Sequence, residues 1–252
     1  MTELKRQYAI LDLLHQQGSV TINEIVDSFG ISPATARRDI TKLDSQGKLK
    51  KVRNGAHQNE AKQSAHWSPM NIQEVSNYNE KSRIAKQAAQ LCESGESVVI
   101  NCGSTAFLLG QEICGKSIQV ITNYFPLLNY LIEQNHNNLV VLGGQFYKEK
   151  SLFLSTDQTA DAFYAGHYMF TGGSGLTEEG LFKVDLLSAM VEQKMVNHVN
   201  KLVALVDSSK VGERIGTLFS PTKQLDIVIT GKDANPKVIS ALQAKGVEVI
   251  LV

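Results

Sequence analysis

From Ser97 to Val252, short and nearly continuous apolar runs alternate with helix-like segments. This alternation constrains the fold more than any other feature of the chain. In chain order the segments are Ser97–Asn101, Ser104–Cys114, Ile118–Thr122, Phe125–Gln134, Leu139–Leu142, Tyr168–Thr171, Val184–Val199, Leu202–Val206, Leu225–Thr230, Lys237–Lys245 and Val247–Val252. Strands that are apolar on both faces and separated by helices imply a parallel sheet covered on both sides. An α/β domain is therefore expected over residues 80–252, its first helix running from Glu80 to Leu91.

The first 57 residues follow a different period. Leu4, Ile10, Leu11, Leu13 and Leu14 have roughly helical spacing, and Gly18 stops them. Thr21-Ile22-Asn23-Glu24 reads as a capping box opening a short helix with Ile25, Val26 and Phe29 on its apolar side and Gly30 at its end. Ser32-Pro33 opens a third helix, with Ser as cap and Pro where a missing N–H costs nothing. Ala36, Ile40 and Leu43 make its buried stripe. Lys48 to Asn54 alternates and ends at the turn signal Asn54-Gly55. Three short helices and a hairpin predict a winged helix-turn-helix over residues 1–57. The mostly polar stretch 58–79 reads as a linker, with Trp67 and Met70 expected to pack on a domain.

Charge supports this division. The chain of 252 residues has a formal net charge of zero, so bulk charge selects no partner. Up to His57, however, 9 Lys/Arg stand against 6 Asp/Glu, and beyond it 16 stand against 19. Seven cations fall between Arg37 and Arg53. On the exposed side of the third helix, Ser32, Thr35, Arg37, Arg38 and Lys42 suit a major groove, where Arg bonds guanine, Thr meets a thymine methyl and free N–H groups meet phosphate. Lys50, Lys51 and Arg53 on the wing suit the backbone. The bland alternative is a solvated basic face. The agreement of helices, tight turn and wing favours double-stranded DNA.

In the second domain, polar and glycine-rich turns follow the strands: Asn101-Cys102-Gly103-Ser104-Thr105, Thr122-Asn123, Gly143-Gly144, Thr171-Gly172-Gly173-Ser174-Gly175 and Asp207-Ser208-Ser209-Lys210. Ligands of open α/β sheets bind at these strand ends. A Gly-Ser-Thr turn entering a helix offers N–H groups and hydroxyls to a phosphate. Gly103, Ser104 and Thr105 are thus candidates for a phosphate. Lys210 and Asp207, with Lys183 and Asp185, are candidates for a ligand's hydroxyls, unless Asp207 only caps the turn at Ser208. Glycines after strands usually serve tight turns; five such turns on one edge point to a small phosphorylated polyol or lactone.

The three cysteines, Cys92, Cys102 and Cys114, suggest neither a disulfide framework nor a zinc site. No metal or cofactor is expected. Neither a signal-like start nor a run of membrane-spanning length is present in the sequence, so a cytoplasmic protein without a membrane partner is expected.

SPATARRDITKLDSQGKL, followed by a basic hairpin and Asn54-Gly55-Ala56, resembles the helix-turn-helix signature of the DeoR family of bacterial sugar-metabolism regulators. The wing departs from the pattern, with Arg53-Asn54-Gly55 where the family commonly has His-Gly-Gly. The second domain resembles the family's effector domain, which is similar to ribose-5-phosphate isomerase. NCGSTA resembles that enzyme's phosphate loop, and VEQKMVNHVNKLVALVDSSK resembles the segment from its catalytic glutamate to an Asp-x-Ser-Lys. By this resemblance Glu192 falls on the glutamate and Lys183 has the spacing of the catalytic lysine. Phe170-Thr171-Gly172-Gly173 replaces the enzyme's paired aspartates, which implies binding parts without the full acid–base set. The bland readings are a salt bridge for Glu192 and a solvated helix start for Lys183.

Within the family, KLKKVRNGA, VVINCGSTAFLLG, MFTGGSGLTEEGLFKVD and VDSSKVGER resemble the members that control L-ascorbate utilisation. The resemblance implies a repressor of a sugar-acid catabolic operon with L-ascorbate 6-phosphate as inducer, and paired heads in a homo-oligomer, dimer or tetramer. Two other functions compete. One is a sugar-phosphate isomerase with a DNA-binding appendage, which Gly172-Gly173 disfavours. The other is an architectural DNA-binding protein whose second domain binds nothing, which the five turns disfavour.

Overall fold

The computed structural model describes residues 6, 7, 9–11, 13, 14, 18–45, 48–57, 75–155 and 164–252. Two compact units divide the chain, Met1–Ser68 and Pro69–Val252. Trp67, Met70 and positions 58–74 of the expected linker lie outside the described residues.

In the first unit, the described positions between 6 and 14 are helical (α1). β1 (Ser19–Thr21) leads into α2 (Ile22–Phe29). The expected capping box is present: Thr21 Oγ1 accepts from the Glu24 N–H, and Glu24 accepts from the Thr21 N–H at 2.7 Å. Gly30 closes α2 in the left-handed conformation at φ 61°, which only glycine adopts without strain. α3 (Pro33–Ser45) follows after a three-residue turn, and Ser32 Oγ accepts from the Thr35 N–H.

The wing consists of β2 (Lys50–Val52) and β3 (Gly55–His57), and β1 pairs with β3 to complete a three-stranded antiparallel sheet. Arg53 and Asn54 make the turn, so Gly55 serves another purpose than the expected one. It lies opposite Thr21, where a Cβ would stand 2.0 Å from the Val20 carbonyl oxygen. Ile10, Leu14, Ile25, Ala36, Ile40, Leu43 and Leu49 form the small core beneath. Each large aliphatic there contributes about 1.5–3 kcal/mol by leaving water.

In the second unit, a seven-stranded sheet runs in the order β15-β14-β12-β9-β4-β5-β6. The strands are β4 (Ser97–Ile100), β5 (Gln119–Thr122), β6 (Leu139–Val141), β9 (Gly166–Thr171), β12 (Val199–Leu205), β14 (Ile227–Thr230) and β15 (Glu248–Leu251). All six pairings are parallel, as the doubly apolar runs predict. Val98 and Ile100 point to one core and Val99 to the other. The first core is covered by α4 (Tyr78–Gln90), α5 (Ser104–Ile113) and α6 (Phe125–Glu133). The second is covered by α7 (Leu186–Val196) and α8 (Pro236–Ala244).

Several elements differ from expectation. α4 begins two residues earlier than expected, and Asn77 before it is left-handed at φ 57°. Residues 75–79, read as linker, therefore belong to the second unit. α7 starts at Leu186 because the Asp185 carboxylate caps it, accepting from the Ser188 N–H at 2.8 Å. The end of that expected helix is strand: β12 begins at Val199. The hairpin β7 (Gln145–Tyr147) and β8 (Leu152–Leu154) was not anticipated. Nor was the antiparallel sheet of β10 (Gly175–Thr177), β11 (Gly180–Lys183) and β13 (Thr217–Pro221). Four of these five strands hold only three or four residues, too few to show a period.

Candidate functional site

On α3, Ala36, Asp39, Ile40 and Leu43 face inward, while Arg37, Arg38, Thr41 and Lys42 are exposed. The triplet Arg37-Arg38-Asp39 is thus split by the helical period. Its acid, 1% exposed, is held by the Arg6 guanidinium of α1 through Nε at 2.5 Å and Nη2 at 3.2 Å. An inward Asp was not legible in the sequence, because its partner lies 33 positions away. Burying it removes the nearest negative charge from the outer face. Ser32 is exposed and Thr35 half-buried at the start of the helix. Lys50, Lys51 and Arg53 are exposed on the wing. The wing is tied to α3 by the Lys51 N–H, which donates to Asp44 Oδ1 at 2.9 Å, and by Lys51 Nζ, which donates to Thr41 Oγ1 at 2.8 Å. The sequence-predicted DNA-binding residues therefore lie on the outer side of α3 and on a wing braced against it.

The sheet order places the second site. β4 enters in the middle, β5 and β6 extend one way, and the chain then returns to build β9, β12, β14 and β15 on the other side. Strand order reverses between β4 and β9, and in such sheets the loops leaving the two strands diverge and open a crevice. A cleft of about 220 Å³ lies there. It is smaller than the roughly 300 Å³ at which pockets for drug-sized ligands begin, a scale that suits a small metabolite. Its walls include Gly103, Ser104 and Thr105 from the turn after β4, Gly172 and Gly173 from the turn after β9, and Lys183, Asp185 and Lys210.

Gly103 has φ 131° at the N-terminus of α5, so the turn requires glycine and aims the first N–H groups of the helix along its axis. Gly173 is needed for space, since a Cβ would stand 2.4 Å from Leu181 Cδ1. At Gly172 a Cβ would meet nothing closer than 3.8 Å. Two polar wall residues lie outside the turns and the candidates that the sequence singled out. Lys150 reaches the cleft from the β7–β8 hairpin, and its charge helps lower the Asp185 pKa. Burial raises that pKa, but the Ser188 hydrogen bonds and then the Lys150 charge together outweigh it. Ser188 also lines the cleft.

Lys183 and Glu192 are neither solvated nor exposed. They form an ion pair 7% and 0% exposed, and Lys183 Nζ also donates to Thr171 Oγ1 at 2.6 Å. Glu192 further accepts from Asn101 Nδ2 at 2.8 Å, from Cys102 Sγ at 3.3 Å and from Thr171 Oγ1 at 3.2 Å. Asn101 and Glu192 therefore sit behind the cleft wall and hold Lys183 in it. Burial, followed by the charge of Glu192, pushes the Cys102 thiol far above its ordinary pKa.

Besides Asn101 and Glu192, three more expected residues do not line the cleft. Thr122, fully buried, donates to the Ile100 carbonyl oxygen at 2.7 Å and accepts from the Tyr124 N–H. Asn123 Nδ2 donates to the Phe153 carbonyl oxygen at 3.1 Å, holding the hairpin. Both turn inward onto backbone groups that need partners there, the carbonyls of Ile100 in β4 and Phe153 in β8 and, for Thr122, the Tyr124 N–H. Asp207, 1% exposed, does not line the cleft. Its Oδ1 accepts from Asn77 Nδ2 at 2.9 Å and from the Ser209 hydroxyl, and its Oδ2 lies 3.7 Å from both Lys81 and Lys210. Burial raises the Asp207 pKa, but the Ser209 and Asn77 hydrogen bonds and then the two lysines outweigh it and hold the carboxyl low. Burial lowers the Lys81 pKa, helped by Lys210 and opposed by Asp207.

Among the described residues no group of three or more His, Cys, Asp or Glu is arranged to hold a metal ion, and no helix is long and apolar enough to cross a membrane. The three cysteines are free.

Residues 6–62 match the DeoR-like helix-turn-helix domain, and residues 76–232 match the DeoR C terminal sensor domain. Over 252 residues, the full length of both chains, the protein is 58% identical to the HTH-type transcriptional regulator UlaR of Salmonella arizonae and 57% identical to that of Escherichia coli. Among solved structures, ribose 5 phosphate isomerase A from Neisseria gonorrhoeae matches with a TM-score of 0.42 and 17% identity over 54% of each chain.

Proposed function

The chain belongs to the DeoR family of transcriptional regulators, and from that premise we propose that it is a repressor of a sugar-acid catabolic operon, that of L-ascorbate utilisation, released from DNA by a phosphorylated inducer such as L-ascorbate 6-phosphate. Its full-length relatives are named as transcriptional regulators, and it is a regulator rather than an enzyme.

The labour divides along the chain. Residues 1–57 bind double-stranded operator DNA: Arg37 and Arg38 read bases, Ser32 and Thr35 meet the groove at the start of α3, and Lys42, Lys50, Lys51 and Arg53 meet phosphates. Residues 80–252 bind the inducer. Its phosphate sits on the N–H groups and hydroxyls of Gly103, Ser104 and Thr105, where the helix dipole favours an anion. Lys210, Lys150, Lys183 and Asp185 surround the rest of the molecule, and Gly172 leaves room for it.

The observation that carries this reading is the cleft between β4 and β9, opened by a glycine turn at the N-terminus of α5 and walled by three lysines. The L-ascorbate assignment rests on the resemblance of KLKKVRNGA, VVINCGSTAFLLG, MFTGGSGLTEEGLFKVD and VDSSKVGER to the members that control L-ascorbate utilisation. Thermal shift against a panel of sugar phosphates, with inorganic phosphate as control, tests it. L-Ascorbate 6-phosphate should raise the melting temperature more than its neutral-ring counterparts, and Gly172→Ala should abolish the rise. A panel without any shift defeats the effector reading.

We further infer a homo-oligomer, since one small head covers a half-site only. An apolar face supports it: Leu186, Leu187 and Met190, on one side of α7, are each 54% exposed. A monomer in light scattering at micromolar concentration, with and without DNA, would exclude it.

A further inference from the structure

Asp207 Oδ2 is buried, has no hydrogen-bond partner, and lies 3.7 Å from each of two ammonium groups. A charge-assisted hydrogen bond would be about 2.8 Å long, so the oxygen is shared between two lysines and closed on neither. The lysines differ in freedom. Lys210 is 33% exposed and lines the cleft. Lys81 is 4% exposed, and its Nζ also donates to the Ser76 carbonyl oxygen at 2.7 Å. One partner of Asp207 can leave for a ligand, and the other cannot leave at all.

The rest of the loop is tied to the same place. Glu80 accepts from the Ser208 N–H at 2.6 Å and from the Ser208 hydroxyl at 3.1 Å. Asn77 Nδ2 donates to Asp207 Oδ1 and also to Ser209 Oγ at 3.2 Å. A Cβ at Gly231 would stand 2.0 Å from Glu80 Oε1, so this packing has no slack. The cap and first turn of α4 thus hold three consecutive residues of the loop that carries Lys210. Among the described residues, α4 is in chain order the first helix of the second unit, on the side that leads back to the DNA-binding unit.

We propose that Asn77, Glu80 and Lys81 form the joint through which an anionic ligand captured by Lys210 acts on the entry of the second unit. This rests on the effector reading above. An anion that draws Lys210 into the cleft leaves the buried Asp207 carboxylate with Lys81 alone. The carboxylate then closes on Lys81, its one remaining counter-charge, pulls it from the Ser76 carbonyl and shifts the first turn of α4. Two lysines competing for one oxygen give two discrete arrangements, which is what a switch needs. These three residues touch no ligand. They position the Lys210 loop and report its state.

The test uses the full chain, L-ascorbate 6-phosphate as probe, and a duplex that the wild-type protein selects from a random pool. Two variants probe the joint. Asn77→Gly removes both side-chain bonds and keeps the left-handed backbone, so it folds even if Lys81→Met does not. Probe affinity of the free protein is read by calorimetry, and the probe concentration that half-releases the duplex by fluorescence anisotropy. Both variants should bind the duplex within about threefold of wild type, and Asn77→Gly, which keeps both lysines, the probe as well. Release should need about tenfold more probe or higher, within the roughly 5–150-fold span of typical couplings. Linkage adds a second readout: the duplex should weaken probe binding by a smaller factor in the variants than in wild type. Release by both variants at the wild-type probe concentration overturns the joint alone. Wild-type protein that binds probe and keeps its duplex overturns release by this inducer and, with it, the joint. Wild-type protein that binds no probe overturns the cleft reading and, with it, the joint.

Discussion

The two units of this chain treat the cations of their candidate sites in opposite ways. Arg37, Arg38, Lys42, Lys50, Lys51 and Arg53 all stand in water on the first unit. In the second, Lys81 and Lys183 are buried and held by carboxylates. A phosphate backbone is a long, regular polyanion, and solvated flexible charges meet it additively by releasing counterions. A small ligand offers few contacts, so its site must be built before it arrives. The exposed charge of the first unit is therefore expected to govern affinity and leave stability untouched, unlike the part-buried Arg6–Asp39 pair beneath it. Charge in the second should govern stability as well.

The sharpest break of that contrast is at Glu192. Glu192→Gln leaves the Lys183 ammonium buried without its counter-charge, and such losses cost about 3–5 kcal/mol. Urea denaturation should show it, whereas none of the six exposed cations replaced by Ala should shift the midpoint by more than about 0.5 kcal/mol. A stable Glu192→Gln variant would mean that the pair is not the structural centre of the cleft wall.

Next in size is base reading. Arg37→Ala and Arg38→Ala should each weaken operator binding by about 1–3 kcal/mol and relax specificity. Wild-type affinity in both, measured by anisotropy, would move recognition away from α3.

The neighbouring glycines separate space from function. Gly173→Ala drives a methyl into Leu181 and should lower stability by about 1–3 kcal/mol. Gly172→Ala meets only ordinary contacts. It should melt like wild type and lose inducer binding, because its methyl enters the cleft. Equal stability losses in the two would remove Gly172 from the cleft.

Smaller still is the wing. Lys50→Ala should weaken binding to all duplexes alike and lower the slope of log affinity against log salt by about 1. Lys51→Ala should do the same and also loosen the wing, since its ammonium is bonded to Thr41.

The least effect is expected from acid. The Asp207 carboxyl is held below its ordinary 3.8, so its contribution is complete above that pH and drains as the pH falls through the lower folded-state value. Asp207→Asn should therefore melt below wild type by a constant amount above pH 3.8, and the gap should close as the pH falls below that value. A gap that persists undiminished in acid would point to another group.

Much of this molecule was legible before any coordinates. Local chemistry was enough for the capping box at Thr21 and Glu24, the Ser32 cap and the left-handed Gly30, because cap partners lie within four residues. Doubly apolar runs were enough for the parallel sheet, and glycine-rich turns after β4 and β9 for the cleft's two lips. The hairpin that delivers Lys150 was not legible, since its strands are three residues long.

What the sequence determined by itself is which elements form and which residues are candidates, because propensity, capping and hydrophobic period act over a few residues. What only the tertiary structure decided is which candidates face the cleft and which serve the frame. Thr122, Asn123 and Asp207 look like Ser104, Thr105 and Lys210 in the chain, each a polar residue after a strand. They turn inward because Ile100, Phe153 and Asn77 stand opposite them. Those partners lie 22, 30 and 130 positions away. A buried polar group takes whichever partner the fold brings within about 3 Å, and at such separations the strand order, not the local sequence, makes that choice.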